Sequence, residues 1–241
     1  LFSVTESAFG GLRYIEEYVM SVSSNTHSSQ KISSLATNGV LRNTYMLLSM
    51  TLVFSALTAG LSMAFNLPHP GLILTLIGYF GLLFLVSKYQ NSAAGLAFVF
   101  ALTGFMGYTL GPILNSYLSL PNGSQVVMTA MAGTGAIFLA LSFYALTTRK
   151  DFSFMGAFLM VGILVGFLAA LAAIFFEMPG LSLAVSAMFV LLMSGLILYE
   201  TGNIINGGET NYIMATVTLY VAIFNLFSSL LHLIGFMGDG E

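Results

Sequence analysis

Seven apolar stretches, separated by short polar breaks, fill most of the chain: Tyr45–Asn66, Pro70–Ser87, Ala93–Leu118, Gln125–Leu146, Ser153–Phe176, Leu181–Ile204 and Tyr212–Met237. Each is close to the roughly 20 residues that an α-helix needs to cross hydrocarbon. Hydrocarbon offers backbone groups no water partner, and alternating barrel strands are absent from the pattern, so each stretch is expected to be helical. The breaks carry turn chemistry: Asn66-Leu67-Pro68-His69-Pro70, Pro121-Asn122-Gly123, Met178-Pro179-Gly180 and Asn206-Gly207-Gly208. Connections this short make consecutive helices antiparallel neighbours. The expected fold is all-α: a polytopic membrane protein whose seven-helix bundle covers residues 41–241, uninterrupted by a soluble domain. No repeat at solenoid periods is visible.

Composition agrees with that pattern. Hydrophobic residues make up 57% of the 241-residue chain and charged residues 6%, with a mean hydropathy of +0.94. A soluble domain carries roughly 25% charged residues, so lipid must cover much of this surface. A net charge of -3 without a basic run argues against nucleic acid. The absence of cysteine excludes disulfides, thiol catalysis and thiolate metal sites. His27, His69 and His232 lack metal-ligand spacing, and no nucleophile–base set or phosphate loop is recognisable. Neither an enzyme nor a cofactor or metal is expected.

Six basic residues set the orientation. Arg13, Lys31 and Arg42 precede the first span, Lys88 lies between the second and third, and Arg149 with Lys150 between the fourth and fifth. All fall on one side of a seven-span chain, which the positive-inside rule makes cytoplasmic. The acidic end, Asp239 to Glu241, is then expected outside. Residues 1–40 are Ser-rich and contain no long apolar run, and Gly10-Gly11 interrupts their weak amphipathic character. They do not resemble a signal peptide. They read as a flexible cytoplasmic tail, or as a handle for a cytoplasmic partner or protease. Because the chain starts at Leu1 rather than Met, an incomplete start is a further reading.

Ionisable groups inside a membrane are costly and so informative. Glu200 follows the apolar run Ala187–Tyr199, about one turn before the sixth span ends. It reads either as an interfacial side chain reaching water or as a proton- or cation-responsive group inside the bundle. In the seventh span Thr218, Ala222, Asn225, Ser229 and His232 recur at 4-3-4-3 spacing and share one face. Such a stripe faces protein or water rather than lipid, and either glues helices together or lines an ion path. In the third span Gly107 and Gly111 form a small-xxx-small pair beside Pro112, and Gly162 with Gly166 repeats the spacing in the fifth. These read as helix-packing positions, with Pro112 expected to kink its helix.

Several separated segments resemble a known family. Leu41-Arg-Asn-Thr-Tyr-Met-Leu-Leu-Ser-Met-Thr-Leu is similar to the entry of the first helix of Bax inhibitor-1 proteins, and Gly107-Tyr-Thr-Leu-Gly-Pro-Ile-Leu to their glycine–proline segment. Tyr199-Glu-Thr-Gly-Asn-Ile-Ile, Gly208-Glu-Thr-Asn-Tyr-Ile and Leu219-Tyr-Val-Ala-Ile-Phe-Asn-Leu-Phe resemble their last two helices. The resemblance covers about residues 38 to 237 and is strongest to bacterial inner-membrane members, through Val40–Leu52, Pro70–Leu76, Thr103–Leu118, Leu146–Phe154 and Gly207–Leu219.

The resemblance implies seven spans with the last near the centre, a cytoplasmic N-terminus and a periplasmic C-terminus in the bacterial inner membrane. It also implies association with the membrane-anchored AAA+ zinc protease FtsH, as a slow substrate that restrains attack on other membrane proteins. The same protease is bound by the HflK–HflC assembly. Other family members leak calcium or protons through paired acidic residues on the last two helices. Here Glu200 matches the first of those positions, whereas Ala222 stands at the second. A divalent cation thereby loses a hard oxygen ligand, which puts calcium conduction by that route in doubt.

Overall fold

The computed structural model describes residues 37 to 238. Within them the chain forms seven long α-helices: α1 (Thr37–Ala64), α2 (Leu72–Tyr89), α3 (Ala93–Leu118), α4 (Gly123–Thr148), α5 (Gly156–Phe175), α6 (Pro179–Ile205) and α7 (Tyr212–Gly238). A single 3-10 turn, Ser153–Met155, leads into α5. All seven are long and apolar enough to cross a membrane. Most boundaries lie within three residues of the apolar pattern. The exception is α1, which begins about two turns ahead of Tyr45. A helix once nucleated continues through polar interfacial residues such as Asn38 and Arg42, and hydropathy does not register that turn. The tail reading of residues 1–40 otherwise lies outside the described residues.

The bundle is built around α7, which packs against α2, α3, α4 and α6 and is hydrogen-bonded to α1. Half of its most apolar stretch is buried, against 6% for α2. Helix α5 is peripheral too and packs chiefly on α6. In lipid, apolar burial does little to drive helices together, because acyl chains solvate leucine as well as a neighbouring helix does. Close approach and polar partners must supply the cohesion.

The glycine pairs lie where helices approach. A Cβ on Gly107 would meet the Ser55 carbonyl and the Thr58 hydroxyl of α1, and one on Gly111 would meet Ser62 and the Ala59 carbonyl. Gly162 faces Leu192 of α6, while Gly166 faces Met188 and Phe189. Helix α3 continues through Pro112. Proline has no N–H to offer the carbonyl one turn back, at Tyr108. That carbonyl accepts instead from the Ser62 hydroxyl of α1, at 3.0 Å.

The loops are pinned by side chains. Asn211 caps α7: its Oδ1 accepts from the N–H of Ile213 (2.9 Å) and of Met214 (3.2 Å). Its amide meanwhile donates to the Gln90 carbonyl (3.2 Å) and Asn91 Oδ1 (2.8 Å), tying the α6–α7 loop to the α2–α3 loop. Asn211→Ala should cost about 1–2 kcal/mol, read as a lowered unfolding midpoint of the solubilised protein. Asp151 in the α4–α5 loop accepts from the Ser153 N–H at 2.8 Å, which holds its carboxyl below the ordinary aspartate value. That contribution is present at neutral pH and lost only as pH falls through the lowered value.

Candidate functional site

Near its end, α6 buries Ile197, Glu200, Thr201 and Ile204. Glu200 is 5% exposed, so it does not reach the surface as an interfacial carboxylate would. Its Oε1 has no hydrogen-bond partner among the described residues. Two further buried oxygens are unpartnered in the same sense, Thr44 Oγ1 on α1 and Ser142 Oγ on α4. Contacts of neighbouring residues link the helices that carry them. Tyr45, next to Thr44, places its hydroxyl 3.3 Å from Thr201 Oγ1, and its ring packs 6.1 Å from Phe138, one turn before Ser142. Buried polar atoms are nearly always satisfied, so each of the three marks its position chemically. A buried carboxyl of this kind can take up or release a proton.

The outer end of the α7 stripe lies far from Glu200. His232 Nδ1 lies 2.8 Å from Ser186 Oγ of α6, roughly 21 Å along α6 from Glu200 at 1.5 Å per residue. Asn225 donates to the Val221 carbonyl of its own helix at 2.8 Å, and Ser229 is buried. Ala222 is fully buried in an apolar cluster with Leu159, Leu192, Met193, Ile197 and Leu226. The position that the resemblance matches to a second acidic residue is therefore part of the packed core. No group of three or more metal-ligating side chains occurs among the described residues.

A second polar face, passed over in the sequence, lies on α1. Thr44, Thr51, Ser55, Thr58 and Ser62 share one side at 7-4-3-4 spacing. Ser55 Oγ is 2.6 Å from Tyr220 OH of α7, and that hydroxyl also reaches the Thr103 carbonyl of α3 at 3.3 Å. Beside this contact lies an apolar cavity of about 400 Å³ between α1, α3, α4 and α7, lined in part by Gly60, Thr134, Gly135 and Tyr220. The α1 spacing was available as a signal; the partner Tyr220, inside an apolar run, carried none.

The family model described as "Inhibitor of apoptosis-promoting Bax1" matches residues 37–239. The chain belongs to the Bax inhibitor-1 family. Among its relatives it is 56% identical over 209 residues to the "Modulator of FtsH protease YccA" of Escherichia coli strain K12, covering 87% of this chain and 95% of that protein. An uncharacterised protein of Pseudomonas aeruginosa is 57% identical over 204 residues, covering 85% and 92%. An uncharacterised membrane protein of Vibrio cholerae is 45% identical over 217 residues, covering 90% and 97%. This Bax inhibitor-1 protein thus shares nearly the full length of each.

Proposed function

We propose that the protein is an inner-membrane modulator of the protease FtsH, acting as a slowly extracted substrate that occupies the protease and so shields other membrane proteins. The observation that carries this reading is the 56% identity, over 95% of its length, to the relative named as a modulator of that protease. A second Escherichia coli relative, equally similar, is named an inner membrane protein. The modulator is not an enzyme. The N-terminal segment is the cytoplasmic handle, and HflK–HflC is a further partner of the complex. Basic residues support that orientation: Arg42 lies near the start of α1, Lys88 in the last turn of α2, and Arg149 caps α4, all on one side of an alternating bundle. Removing residues 1 to 34 is expected to abolish ATP-dependent turnover of the chain by FtsH. Turnover at the wild-type rate would eliminate the handle.

A proton or cation leak is the second reading, favoured by the buried, unpartnered Glu200 Oε1. It predicts flux into liposomes that changes with pH and drops in Glu200→Gln. Equal flux in both proteins, or none above empty vesicles, rejects it.

A further inference from the structure

We propose that the hydrogen bonds holding α1 in the bundle set how slowly the chain yields to a machine pulling on its N-terminal side, an inference that rests on the modulator reading above. Helix α1 is the first span such a pull meets. Lipid solvates its apolar face as well as the bundle does, so apolar contact alone holds it weakly.

What α1 loses on leaving is polar, and the losses are spread along its length. Near its start, the Tyr45 hydroxyl loses Thr201 of α6 (3.3 Å), and the Thr44 carbonyl loses the hydroxyl of Thr216 on α7 (3.3 Å). At mid-helix the Ser55–Tyr220 contact breaks (2.6 Å). Further on, Ser62 leaves the Tyr108 carbonyl (3.0 Å), for which Pro112 offers no N–H. The last separation strands the Tyr108 carbonyl in hydrocarbon, whereas Tyr220 falls back on the Thr103 carbonyl at 3.3 Å and Thr216 on the Tyr212 carbonyl at 2.7 Å. The Gly107 and Gly111 contacts bring α3 close enough for the Ser62–Tyr108 bond to form.

On its other flank α1 is poorly held, because the 400 Å³ cavity separates part of it from α4. Gly60 and Gly135, which line that cavity, have nothing within 4 Å of where a Cβ would stand. Along its second half the polar grip on α1 is therefore concentrated on α3 and α7.

The test compares the full chain with Ser55→Ala/Ser62→Ala and with Ser186→Ala, each reconstituted in liposomes with FtsH and ATP. Ser186→Ala removes the contact to His232, a side-chain bond between α6 and α7 that is not engaged by α1. Interhelical bonds in membranes are each worth about threefold in an equilibrium, so the double variant should be degraded roughly ten times faster. Ser186→Ala should stay within about twofold of wild type. Unfolding midpoints of all three in detergent show that each is folded at the start. An unchanged rate for the double variant overturns the proposal. So does equal acceleration by Ser186→Ala, which would make overall stability the determinant.

Single-molecule pulling on the N-terminus in a bilayer, without protease, separates this inference from the reading it rests on. A lower force for release of the first helix in the double variant supports the role of α1, even if FtsH never degrades wild type; in that case the modulator reading fails instead. An unchanged force overturns the role of α1 whatever the protease does.

Discussion

Gly107→Leu should leave little folded protein. The Cβ alone would press on the Ser55 carbonyl, which is backbone, and on the Ser55 and Thr58 hydroxyls. Backbone can move aside only by displacing α1. That displacement would also pull Ser55 from Tyr220, and Ser62 from the carbonyl that Pro112 frees. Overpacking of this kind costs about 1–3 kcal/mol, and loss of the two buried bonds adds about 1 kcal/mol. The expected result is a collapsed yield of monodisperse protein and a strongly lowered unfolding midpoint. Gly135→Leu is the matched control: its Cβ meets nothing within 4 Å and its side chain enters the cavity. It should retain wild-type stability or gain. If the two variants unfold alike, α1 and α3 do not approach as described.

Glu200→Leu should raise stability by about 1–3 kcal/mol. A buried oxygen without a partner pays its desolvation cost without return, and Glu200 Oε1 is one. Leucine would join Ile197 and Ile204 on the buried face of α6. Glu200→Gln should gain much less, since it keeps a buried polar group. A rise in the unfolding midpoint for leucine only is the result expected of a residue retained at the expense of stability, as functional sites are. A marked loss of stability in Glu200→Leu would mean that the carboxyl is engaged in a structural bond.

The seven spans were legible because lipid imposes one rule on every one of them: a long apolar run with its backbone satisfied internally. Ala93–Leu118 was readable to the residue, since polar or turn-forming residues bound it at both ends. The start of α1 was not, because Asn38 and Arg42 are helical yet polar. Spacing alone also put Gly107, Gly111, Gly162 and Gly166 on single faces. Their partners were hidden, since periodicity says which residues share a face and not which helix lies opposite. The stripe on α7 shows the consequence. Its members do share a side, yet His232 meets Ser186 far from Glu200, and Asn225 bonds its own backbone. Tyr220 was hidden more thoroughly, as an aromatic in an apolar run whose hydroxyl finds Ser55 only after α1 and α7 have packed. Pairings of this kind belong to tertiary structure.

The central claim is that the chain restrains FtsH by occupying it. The most direct measurement is ATP-dependent degradation of a known membrane substrate by reconstituted FtsH, with and without the full-length protein in the same bilayer. The account predicts slower degradation as the protein is added, and relief of that effect when residues 1 to 34 are removed. Unchanged degradation in the presence of correctly folded protein would contradict it.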